Sequence, residues 1–141
     1  MSARQDRTAL VELFPACFAP EGGVKKPLKI GIDREVAAHF KGTWSRKRVS
    51  AVMWEYVRGP NYQRALLSGE PRVGLDGQPC GEVDEDAIAC ARRRLHTMTA
   101  LDRLRKQNAA LVEALRALYD NPASYEAHMQ AHAALKQAEE S

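Results

Sequence analysis

Ser45–Arg58 reads SRKRVSAVMWEYVR, and its apolar spacing sets the fold class. Val49, Val52, Met53 and Tyr56 fall at offsets 0, 3, 4 and 7, which is one face of an α-helix. Ser45 is a good N-cap, and Arg58-Gly59-Pro60 ends the pattern near Val57. Arg46, Ser50, Trp54 and Val57 fall on an adjacent flank.

Other helices are expected on either side. Thr8–Phe14 reads as a short helix stopped by Pro15, after a polar and frayed start. Asp33 suits the N-cap of a helix to about Lys41, with Ile32, Val36 and Phe40 inward, and NYQRALLS (61–68) suits another. Asp84 caps a long helix running to about Tyr119, followed by a break at Asn121-Pro122 and a short helix to about Ala138, with Pro122 at N1. Only LKIGI (28–32) and residues 72–75, before the Asp76-Gly77 turn, have strand character. The expected fold is mostly α with a small β component, an α+β class.

The 141 residues carry a net charge of only +3, which by itself advertises no polyanion partner. The distribution says more. Residues 22–72 hold eleven Lys and Arg against four Asp and Glu, a net of +7, whereas residues 73–90 hold five acids and no base. A concentrated basic block is the footprint of a polyanion site, if its charges converge in space. Nothing approaches eighteen consecutive apolar residues, so no membrane-spanning helix is expected. The start, MSARQDRTALVELF, has charges where a signal peptide needs an apolar run, so a cytoplasmic location is expected.

Catalytic and metal chemistry find no support. No Ser-His-Asp or Cys-His arrangement, phosphate-cradling glycine loop or carboxylate pair stands out, and the acids of 82–86 read as helix-capping groups. His128 and His132 lie four apart but lack a glutamate and a third ligand, so no metal or other cofactor is expected. Cys17, Cys80 and Cys90 form no CxxC and read as structural thiols, Cys80 as a buried turn thiol. A non-enzyme is expected.

Three motifs occur in order: FPACF at 14–18, PLKIGI at 27–32 and RVGLDGQPCGE at 72–82. Together with the helix capped by Ser45 and with Tyr62, they make the chain from about Leu10 to Leu95 resemble the ProQ/FinO family of bacterial RNA chaperones. The resemblance implies a compact, mostly helical domain over residues 1–95, followed by a C-terminal helical extension over 96–141. It also implies a ligand: the base of an intrinsic terminator hairpin and the single-stranded 3′ tail of small RNAs and mRNAs. Recognition by shape and 3′ end suits RNA, because an A-form duplex hides its base edges in a deep major groove.

Transferred residue by residue, the resemblance makes Lys26 and Lys29 phosphate contacts. It makes Ser45, Arg46, Lys47 and Arg48 the helix start that grips backbone, since a helix N-terminus presents unpaired N–H groups to an anion. Tyr62 would pack against the terminal nucleotides and Arg72 would bond their phosphate or sugar. Some relatives carry two arginines where this chain has Ser50 and Trp54. Trp54 either stacks on RNA, worth about 1–3 kcal/mol where such stacks form, or packs on protein.

Beyond Leu95, Leu101, Leu104, Asn108, Leu111, Leu115 and Leu118 follow a 3,4 spacing with Asn108 at an a position. The run is short for an independent coiled coil. Packing within the chain as a hairpin, and hence a monomer, is the first expectation, and self-association the second. The alternative function is a protein-interaction module with weakened RNA affinity, using this seam to self-associate or bind a partner.

Overall fold

The computed structural model describes residues 2–121 and 123–140. Six helices follow in order: α1 (Ala3–Leu13), α2 (Ile32–His39), α3 (Arg46–Val57), α4 (Pro60–Leu67), α5 (Glu85–Asp120) and α6 (Tyr125–Glu139). The chain divides into two compact units, one ending at Leu95 and one beginning at His96.

In the first unit, α3 packs against α1, α2 and α4. Val49, Val52, Met53 and Tyr56 are buried, as their spacing requires, and Ile32, Val36, Phe40 and Ala91 join the same core. Tyr56 is fully enclosed, and its hydroxyl accepts the Ala19 N–H at 2.9 Å, so the one polar atom of that ring is satisfied.

Several boundaries differ from expectation, each for a local reason. The chain is helical from Ala3, not frayed to residue 7, because Ser2 and Gln5 form a reciprocal capping box. Within α1, Leu10 is buried whereas Leu13 is exposed. The N-cap of α2 is Gly31, not Asp33; Gly31 has φ +80°, a left-handed conformation that glycine enters without a Cβ penalty. Pro60 is the first residue of α4, where its missing N–H costs nothing. Asp84 does cap α5, its carboxylate accepting the Ala87 N–H at 2.7 Å.

The expected strands shrink to two isolated bridges, Leu28 with Val73 and Val73 with Pro79, and no longer strand exists among the described residues. The segments still align: Lys29 N–H donates to the Val73 carbonyl at 2.9 Å, and Val73 N–H to the Pro27 carbonyl at 2.8 Å. The hairpin turns at Gly77 (φ +77°), where a Cβ would lie 2.7 Å from the Ala16 Cβ. Cys80 is exposed, contrary to expectation, with its thiol 3.4 Å from the Arg72 carbonyl.

In the second unit, α6 lies across a cleft from the end of α5, with Ala110 and Glu113 on one wall and Ala133, Ala134 and Gln137 on the other. Ser124 caps α6 by accepting the Ala127 N–H. Pro122, expected at its first turn, lies outside the described residues. The buried residues here are alanines (Ala114, Ala127 and Ala134). This corrects the expectation that the heptad leucines close the hairpin: Leu101, Leu104 and Leu115 are exposed, and only Leu111 and Leu118 are partly covered. No described helix is long and apolar enough to cross a membrane.

Candidate nucleic-acid interface

The start of α3 forms one wall of an open cleft of about 860 Å³, and α2 forms the other. Arg46 and Lys47 come from α3; Arg34 and, just beyond the helix, Lys41 come from the α2 side. Asp33 is the single acid among the lining residues. All four cations are exposed. Ser45 Oγ accepts the Arg48 N–H at 3.2 Å and the Ser45 carbonyl accepts the Val49 N–H at 3.1 Å. The remaining first-turn amides, those of Arg46 and Lys47, lack an intrahelical partner and add their dipoles to the cationic cleft. Arg34 and Lys41 had no place in the expected site. Their charge is visible in the sequence, but not that α2 lies across from the start of α3.

Arg48 departs from its expected role. Its guanidinium donates to both oxygens of Asp6, from Nε at 2.9 Å and from Nη2, and lies 4.6 Å over the Trp44 ring. Asp6 is buried, and Arg48 holds its carboxyl below the usual carboxylate range. Arg48 therefore ties α1 to α3 instead of facing a ligand. Trp44 stacks on Phe40 at 3.9 Å, which stiffens the turn between α2 and α3.

A second group sits where residues 27–29 run beside 72–74. The Tyr62 hydroxyl accepts the Leu28 N–H at 3.2 Å, and Arg72 Nη1 donates to the Leu28 carbonyl at 2.9 Å. Tyr62 is only 7% exposed, and burial pushes its phenol pKa up. The ring is enclosed beside Tyr56 and its hydroxyl holds Leu28, so only a small edge of it is open to the terminal nucleotides that it is expected to pack against. Arg72 is partly exposed, and its Nε has no hydrogen-bond partner. Lys29 forms an ion pair with Glu35, and Lys26 is exposed beside it.

Trp54 is 58% exposed, with the Arg58 guanidinium 4.8 Å above its ring. Lys25, counted in the basic block, is buried. Its Nζ donates to the Tyr56 carbonyl at 2.6 Å and lies 4.3 Å from the ring centroid. Desolvation, with Arg7 nearby, lowers its pKa to about 8. The useful charge of the block is therefore smaller than its count, since Lys25 and Arg48 are taken up by the fold.

Among the described residues no cluster of three His, Cys, Asp or Glu side chains has the proximity to hold a metal. The model of the ProQ/FinO family matches residues 5–110. The chain belongs to the ProQ/FinO family. That family is one of RNA chaperones, not enzymes. The match runs past Leu95 and takes in part of α5 that the sequence motifs did not reach.

Solved ProQ/FinO-type structures agree in fold. A ProQ homolog from Legionella pneumophila is 25% identical, with a TM-score of 0.59, covering 69% of this chain and 83% of its own. A FinO-like RNA chaperone from Neisseria meningitidis is 23% identical, with a TM-score of 0.55, covering 64% of this chain and 89% of its own.

Proposed function

We propose that this ProQ/FinO protein is a cytoplasmic RNA chaperone that binds the base of an intrinsic terminator hairpin and the single-stranded 3′ tail that follows it. By covering the 3′ end it stabilises small RNAs and mRNAs, and by holding them it promotes pairing between a small RNA and its target. The observation that carries this reading is the convergence of Arg34, Lys41, Arg46 and Lys47 on one cleft at the first turn of α3, in a chain of an RNA-chaperone family.

The residues divide the work. The cleft cations concentrate backbone phosphates, and the Arg46 and Lys47 amides, left open by the Ser45 cap, bond one of them. Lys26 adds a flexible point charge beside the 72–74 segment, and Lys29 a second one by exchanging its Glu35 partner for a phosphate. Arg72 bonds the phosphate or sugar of the 3′ terminus with donors not used on Leu28, a geometry its planar fork suits. Tyr62 fixes the loop from which Arg72 and Lys29 work. Trp54, half out of the surface, stacks on a ribose or base.

Anisotropy binding to a terminator hairpin with a free U-tail tests the 3′-end part. The expected result is weaker binding when the tail is removed or its 3′-hydroxyl is phosphorylated, and weaker binding of the intact RNA by Arg72→Ala. Equal affinity for free and blocked ends would refute 3′-end recognition.

A further inference from the structure

Outside the RNA site, the largest unexplained feature is an apolar strip on the second half of α5. Leu101, Leu104, Val112 and Leu115 surround Asn108 on one face, and all five are exposed. The packing of α6 does not use this face; its wall of the cleft meets α5 at Ala110 and Glu113. Such a contiguous apolar strip marks an interaction surface.

Its symmetry says what covers it. Leu104 and Val112 lie four residues before and after Asn108, and Leu101 and Leu115 lie seven before and after. A two-fold axis through Asn108, perpendicular to the helix, therefore sets Leu101 against Leu115 and Leu104 against Val112 of an antiparallel second copy, with Asn108 facing Asn108. An asparagine amide has both donors and an acceptor, so two of them across a dyad satisfy one another, while an all-apolar partner would leave the amide unpaired. Arg105, the one charge on the strip, then comes opposite Leu111 and not its own copy; a parallel pairing would set the two Arg105 side chains at the same height.

We propose that this strip is a self-association surface, on which a second copy of the chain docks antiparallel about a two-fold axis through Asn108. The interface is isologous and closes at two copies. It does not depend on the RNA reading, although each dimer would carry two RNA-binding units.

Sedimentation equilibrium of the nuclease-treated full chain, in a series reaching tens of micromolar, tests it. The mass is expected to rise from 15.7 kDa toward twice that value. The Leu104→Glu/Leu115→Glu variant is expected to stay at one chain with unchanged helical circular dichroism. Asn108→Asp, which sets two carboxylates against each other at the axis, is expected to dimerise only when acid protonates them. If the double variant unfolds, Asn108→Asp alone decides. A single-chain mass for the wild type throughout, whether the strip stays bare or is covered within one chain, overturns the proposal. So does a dimer that survives these substitutions at neutral pH.

Discussion

The Asp6 carboxylate of α1 holds the Arg48 guanidinium of α3, forty-two residues away in sequence, through hydrogen bonds to both of its oxygens. The pair orders the chain start and at the same time removes one cation from the surface that faces the cleft. Asp6→Asn is expected to lower stability by about 2 kcal/mol, in the range of a hydrogen-bonded charge pair. The sign with pH follows from the lowered Asp6 pKa. Its stabilisation is present above the ordinary value of 3.8 and is lost as pH falls through the folded-state value. Urea titrations of both proteins from neutral to acid pH should therefore show the difference between them closing below about pH 4.

Lys25 acts in the opposite direction. Burial lowers its pKa to about 8 from the ordinary 10.5, so the folded state disfavours the charged form. Below pH 8 that cost is fully present. Between pH 8 and 10.5 the folded protein sheds the proton while the unfolded chain keeps it, and stability rises with pH. The expected result is that wild type gains stability relative to Lys25→Met across this window, measured by thermal unfolding at each pH. A parallel course for the two proteins would show that the buried amine pays no such cost.

Gly77 is a steric position. Its φ of +77° disfavours any side chain, and a Cβ there would meet the Ala16 carbonyl oxygen at 2.9 Å as well as the Ala16 Cβ. Gly77→Ala is expected to cost about 1–3 kcal/mol, the range for strained backbone and overpacking. Gly42 has φ +89° but open space around its Cβ, so Gly42→Ala should cost less in the same denaturation assay.

Much of this was legible in the sequence, and the gaps have physical causes. The face of α3 and its Ser45 cap follow from local spacing and hydrogen bonding, which sequence encodes directly. The start of α1 is set by the Ser2/Gln5 capping box, a local signal that the polar composition of residues 1–7 masks, and the Asp6–Arg48 pair that anchors it exists only in the folded chain. The strand reading of LKIGI captured the alternation but not that each segment pairs over one residue or so. Charge counting took Lys25 and Arg48 as surface cations, since a count does not reveal burial. It includes Arg34 and Lys41 but gives them no place in the site, since they matter there only because α2 faces the start of α3. In the second unit, alanine rows bring α6 beside α5, and the leucines that drew attention in the sequence point elsewhere.

The most direct test of the RNA reading is the salt dependence of binding to a terminator hairpin with a free U-tail, for wild type and for Arg46→Ala/Lys47→Ala. If these two side chains neutralise phosphates, log K for wild type falls steeply with log salt. The double variant should bind more weakly, with a slope shallower by about 1.4–1.8, since each lost phosphate contact removes about 0.7–0.9. Wild-type binding that is indifferent to salt, or a double variant with the same affinity and slope, would contradict the account.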